Sequence, residues 1–226
     1  LIRRQRQMCI RDSSKMIGNG IPEGAFTKGQ ERILKTIAIT ISLIAWIWAF
    51  VLLAKSDVHP AYFVAGHVMV GLACICTSLI ALVATIARQI RNVYTDRERK
   101  RWPKLVLLMG TVSLLWGLFV IFSDSSTTNG VIGYIMIGLG LVCYSISSKV
   151  ILLAKIWGRE FALANRIPLI PVLTALACLF LASFVFELGT THDDYFIPAR
   201  VLAGLGAICF TLFSIVSILE SGTSSK

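Results

Sequence analysis

The 226 residues are 56% apolar and only 15% charged, with a mean hydropathy of +0.76 and a formal net charge of +10. Soluble domains carry about 25% charged and about 45–50% apolar residues, so a water-soluble globule is excluded. Nor does the basic excess mark a nucleic-acid binder. Most Lys and Arg lie between apolar blocks, and no RRM, zinc-finger or helix-turn-helix pattern occurs.

The chain begins at Leu1 rather than Met and reads as a fragment. Arg3 to Ser13, RRQRQMCIRDS, resembles translated sequencing adapter and is set aside from fold reasoning. Without its four Arg and one Asp the charge falls to +7. Residues 1–35 read as a tail. Six apolar blocks follow, each close to the length of about 20 residues that crosses about 30 Å of hydrocarbon. They run from Ile37 to Ala54, Tyr62 to Ala87, Leu105 to Phe122, Val131 to Ile156, Ile167 to Phe186 and Phe196 to Leu219. The predicted fold is therefore an all-α polytopic transmembrane bundle of six helices.

The connections alternate in charge. Lys55 to Ala61 is nearly neutral, and Arg88 to Lys104 carries seven bases against Asp96 and Glu98. Ser123 to Gly130 holds only Asp124. Lys155 to Arg166 holds Lys155, Arg159 and Arg166 against Glu160, and Glu187 to Asp194 has three acids and no base. Lys/Arg-rich loops stay on the cytoplasmic side, so both termini are expected inside a plasma membrane. The basic segment Arg97 to Lys104 is expected to meet anionic lipid.

An internal repeat is visible. Gly71 to Ser78 reads GLACICTS, Gly138 to Ser145 GLGLVCYS and Gly204 to Thr211 GLGAICFT, at spacings of 67 and 66 residues. Each unit holds two apolar blocks. The division is three parallel hairpins at 36–88, 89–156 (including the basic loop) and 157–219, with a tail at 220–226.

On a 100° wheel, His67, Gly71, Cys74 and Ser78 share one stripe of the second block. Tyr134, Gly138, Leu141, Ser145 and Lys149 do so in the fourth, and Arg200, Gly204, Ala207 and Thr211 in the sixth. Small residues allow close helix approach and hydroxyls can bond across the contact, so the three faces are expected to meet in the interior. Helix packing is the plainer reading of the stripe; a solute or proton path is the sharper one. Cys76, Cys143 and Cys209 lie about 140° away and should pack against the odd-numbered helices.

Ionisable residues within spans are functional candidates. His67 ranks first because imidazole can gain a proton near physiological pH. Arg200 holds its position in the third unit, Glu187 stands within reach as a partner for Arg200, and Lys149 is expected to snorkel to the cytoplasmic surface. Of the six cysteines only Cys9 lies outside the apolar blocks, and no CxxC or Cys/His spacing suggests a disulfide framework or a metal. No HExxH, GxSxG or Walker pattern is present. No enzyme, cofactor or metal is expected. The expected partner is the lipid bilayer, with no nucleic acid; protein partners are unspecified and homo-oligomers are left open.

Three segments together carry a resemblance: YFVAGHV at Tyr62 to Val68, ALANRIPLIPV at Ala162 to Val172, and YFIPARVLAGLGAICFTLFSIVSILE at Tyr195 to Glu220. They resemble the YhiM family of enterobacterial inner-membrane proteins, from about Thr36 onward. The resemblance implies a location in the bacterial inner membrane and a role in growth or survival under stress, including acid. It also implies further hairpins and VAGHV copies before this point. Gly66-His67 fits the motif, and Ala199-Arg200 takes its place in the third unit. Two mechanisms compete. One is a small-solute or ion transporter with the Gly/Ser stripe lining a path. The other is a scaffold or sensor whose helix packing responds to His67 protonation. A continuous polar cavity along the stripe would favour the first, and dry packing at Gly71, Gly138 and Gly204 the second.

Overall fold

The computed structural model describes residues 27–158 and 166–224, with backbone alone for residue 216 and residues 218–224. The adapter-like stretch, Cys9 and the connection carrying Arg159 and Glu160 lie outside the described residues. Among the described residues six α-helices follow one another: α1 Lys28–Ala54, α2 Pro60–Ile90, α3 Asp96–Ser123, α4 Thr127–Trp157, α5 Leu169–Gly189 and α6 Phe196–Ser224. A 3-10 turn, Asp193–Tyr195, leads into α6. No strand occurs among the described residues. All six helices are long and apolar enough to cross a membrane, as the composition requires.

Capping chemistry moves two boundaries away from the apolar blocks. Thr27 caps α1 with a reciprocal capping box: its hydroxyl accepts from the Gln30 N–H, and the Gln30 side chain accepts from the Thr27 N–H. The helix therefore starts at Lys28, inside the stretch expected to be tail. Thr95 and Glu98 make the same box at the start of α3. After the Arg91 cap of α2, Asn92 adopts φ 57°, a left-handed conformation that Asn tolerates better than most residues. The expected basic loop thus shrinks to a short turn between Ile90 and Asp96. Its charges ride on helix ends. His59 caps α2, its Nδ1 accepting from the Ala61 N–H at 3.1 Å, with Pro60 in the first helical position, where a missing N–H costs nothing.

Consecutive helices pair as α1/α2, α3/α4 and α5/α6, and these pairs share the most extensive contacts. α4 stands at the centre, packed against α2, α3, α5 and α6. Its apolar window is 78% buried, against at most 44% for any other helix. The α1/α2 pair is joined by a polar node. Thr77 Oγ1 lies 2.9 Å from Ser42 Oγ, accepts from Trp46 Nε1 at 3.0 Å, and donates to the Ala73 carbonyl. The α3/α4 pair is closest of all at its glycines. A Cβ on Gly117 would sit 2.7 Å from the Gly133 carbonyl oxygen, and one on Gly110 3.3 Å from that of Gly140. Ser113 Oγ adds a bond to the Met136 carbonyl at 2.9 Å, and Thr111 meets Tyr144 Oη at 2.6 Å.

Candidate functional site

The polar groups inside the bundle lie at three levels. The first is near the end opposite the basic residues. His67, two turns into α2, is buried at 8% exposure. Its Nδ1 lies 2.7 Å from the Phe63 carbonyl oxygen. A carbonyl only accepts, so Nδ1 carries a proton and Nε2 is left as the acceptor of the neutral ring. The ring is 4.4 Å from that of Phe63 and 6.2 Å from that of Trp116 on α3, centroid to centroid. The Trp116 Nε1–H is buried without a hydrogen-bond partner among the described residues. The imidazole is therefore a packed group at the α2/α3 contact rather than a headgroup anchor.

The second level lies toward the basic end of α4. Lys149 is buried at 7% exposure and does not snorkel to the surface as expected. Its helix is covered by neighbours and offers no lipid-facing side along which the stem could run. No carboxylate pairs with it among the described residues. One turn back, the Ser145 hydroxyl is fully buried and meets the Cys209 thiol in poor hydrogen-bonding geometry. Cys178 and Thr174 of α5 complete this cluster.

The third level is the basic end itself. Glu31 of α1 is buried and joins Lys35 to Arg91 of α2, while Arg88 Nε meets Glu98 of α3 at 2.9 Å. Two clefts open there. One, about 320 Å³, lies between Arg99, Lys100, Pro103 and Lys104 of α3 and Ile151, Ala154 and Lys155 of α4. The other, about 270 Å³, is walled by Lys28, Arg32, Lys35, Arg88 and Arg91 around Glu31. Both combine cations with an apolar or alkyl floor.

The small-residue stripe behaves differently in its three copies. His67, Gly71, Cys74 and Ser78 are all buried, as are Gly138, Ser145 and Lys149. Arg200, Gly204, Ala207 and Thr211 are exposed, so the third face does not join the other two in the interior. Hydroxyl bonding across helices is also not what Ser78 and Thr211 do. Each donates to the carbonyl four residues back, Cys74 at 2.8 Å and Ala207 at 3.0 Å, a local option open to helical Ser and Thr. Glu187 and Arg200 are exposed and form no ion pair with each other. Cys143 packs on Gly110 of α3 and Cys209 lies beside Cys178 of α5, as expected, but Cys143 also lies near Ser78 of α2 and Cys209 near Ser145 of α4.

The Thr77 node, the buried Glu31 and the glycine pairs of α3 and α4 were absent from the sequence-based candidates. The glycines did leave a signal, since Gly110/Gly117 and Gly133/Gly140 are each seven residues apart, two turns along one helix face.

The sequence matches a known protein and a family. The chain is 49% identical over 208 residues to Inner membrane protein YhiM of Escherichia coli (strain K12). That alignment covers 92% of this chain and 59% of the relative, so the chain spans less than two thirds of the relative's length. No solved structure matches. Residues 4–224 match the family described as "Protein of unknown function (DUF2776)". The resemblance carried by Tyr62 to Val68, Ala162 to Val172 and Tyr195 to Glu220 is thereby borne out. With six membrane-length helices and an inner-membrane relative behind it, the chain belongs to the DUF2776 family.

Proposed function

We propose that the chain is a non-enzymatic scaffold or sensor of the bacterial inner membrane that contributes to acid or stress tolerance, with His67 as its titrating group. Its basic end, with both termini, faces the cytoplasm, following the distribution of Lys and Arg. The clefts at that end suit anionic lipid headgroups, which basic pockets between helices at a cytoplasmic face attract.

The observation that carries the reading is the setting of His67. It is buried at the contact of α2 and α3, in the half of the bundle away from the basic helix ends. A second proton on Nε2 would place a full charge beside the Phe63 ring and next to the Trp116 ring of α3, and a charge placed there acts on the α2/α3 contact. Close packing at two of the three stripe glycines favours a scaffold over a channel: leucine and methionine side chains fill the space beside Gly71 and Gly138, whereas Gly204 has nothing within 4 Å.

A second reading rests on Lys149. An intramembrane lysine with no acidic partner among the described residues is a default candidate for an ion or proton step, and it keeps a transporter in contention through the Ser145/Cys209 cluster.

The test is survival at low pH of cells whose own full-length copy carries the His67→Gln or Lys149→Gln equivalent, with membrane abundance measured in parallel. Loss of protection for His67→Gln at normal abundance supports the sensor. Full protection by that variant defeats it, and loss for Lys149→Gln alone moves the case to transport.

A further inference from the structure

Cys178 of α5 and Cys209 of α6 are 31 residues apart in the chain, and no sequence pattern links them. The fold sets them side by side. Both are fully buried near the middle of their helices, in one core cluster with Val142, Ile146 and Val150 of α4. The helices approach closely there. A Cβ on Gly206 of α6 would lie 3.2 Å from Cys178 Cβ, and Cys209 stands one turn further along that face. Both thiols are free and lie within hydrogen-bonding reach of each other.

Two groups of α4 converge on Cys209. The Ser145 hydroxyl is fully buried and makes no hydrogen bond among the described residues. Lys149 is 7% exposed and has no carboxylate partner among the described residues. A buried ammonium calls for an anion, and a buried hydroxyl for an acceptor. As neutral thiols, Cys178 and Cys209 offer no anion and only weak acceptors.

We infer that Cys178 and Cys209 form a two-thiolate site for a soft monovalent cation of the copper(I) class, with Lys149 as its internal counter-charge. Thiolates suit copper(I), zinc and iron–sulfur clusters. Zinc sites and clusters take about four ligands, and no third His, Cys, Asp or Glu joins this pair among the described residues. Charge makes the same choice. Two thiolates with a divalent cation are neutral and leave Lys149 uncompensated. With a monovalent cation they keep one negative charge, which the ammonium cancels. Binding releases the two thiol protons, forms two sulfur–metal bonds and changes no oxidation state. Ser145 then donates to an ionised sulfur, a stronger acceptor than a thiol. The site stands apart from His67 and does not rest on its titration.

The test uses the full chain in nanodiscs, reduced and without oxygen, titrated with copper(I) against a chromogenic copper(I) chelator. The wild type should take up one equivalent, and X-ray absorption should show only sulfur neighbours on the metal. Cys178→Ser and Cys209→Ser should each lose that equivalent, and Cys76→Ser should keep it. Lys149→Met should keep the stoichiometry and bind about tenfold more weakly. Thermal unfolding with and without copper(I) separates a lost ligand from a lost fold. The metal should raise the wild-type midpoint, because it binds the folded state, and leave the serine variants where they are. No uptake by the wild type overturns the proposal, as does uptake that survives the double variant Cys178→Ser/Cys209→Ser, which would mean an adventitious ion only. Zinc(II) held as tightly as copper(I), or Lys149→Met binding like wild type, overturns it too.

Discussion

At the scale of the residue, Lys149 is the costliest feature of the bundle. Its ammonium lies within the helix-packed interior, beside thiols and hydroxyls rather than a carboxylate. Removing a charge from water costs several kcal/mol unless paired, so this site is sustained by packing elsewhere. Lys149→Met keeps the stem and discards the charge. It should raise the midpoint of thermal unfolding in detergent, by the equivalent of about 1 kcal/mol or more. A lower midpoint would mean that the ammonium has a favourable partner the cluster hides. His67 differs because its burial is compensated: Nδ1 is satisfied by the Phe63 carbonyl within its own helix.

At the scale of the element, the decisive contact is between α3 and α4. Gly117 and Gly133 bring backbone against backbone, and a backbone atom cannot rotate away as a side chain can. Gly117→Ala would place its methyl group 2.7 Å from the Gly133 carbonyl oxygen. Overpacking of this kind costs about 1–3 kcal/mol. Gly204→Ala, with no atom within 4 Å, should cost nothing measurable in the isolated chain. Denaturant titration of both variants in mixed micelles checks the pair, and equal stability would show that the α3/α4 approach is looser than described. The helix starts follow similar local logic. Because Thr27 and Thr95 hold capping boxes, α1 and α3 extend beyond the hydrocarbon and carry their Lys and Arg on ordered turns.

At the scale of the whole molecule, the basic ends of α1, α2, α3 and α4 lie on one side, where Glu31 ties α1 to α2 and Glu98 ties α2 to α3, while Lys55 and Arg200 lie at the other end. Asp124, Glu187, Asp193 and Asp194 gather on the other. If the Lys/Arg distribution sets the orientation, Lys100→Cys should resist a membrane-impermeant maleimide in intact spheroplasts and react after permeabilisation. Asp194→Cys should react from outside at once. The reverse pattern would invert the bundle and remove His67 from the acid-facing side. The central placement of α4 explains why its stripe and that of α2 are covered while that of α6 is open: α4 is packed against four helices, whereas α6 packs mainly on α4 and α5 among the described residues.

The amino-acid sequence by itself determined six membrane-length helices, the charge alternation of their connections, and the recurrence of GLACICTS, GLGLVCYS and GLGAICFT. These follow from length, apolar content and 3.6-residue periodicity, which are local quantities. Tertiary structure decided what depends on neighbours: that Lys149 cannot snorkel, that Glu187 and Arg200 stay apart, that Gly204 faces outward while Gly71 and Gly138 do not, and that Gly110, Gly117, Gly133 and Gly140 form the closest contact. A wheel assigns each residue a direction on its own helix. Only the position of the other helices decides whether that direction meets lipid, a side chain or another backbone.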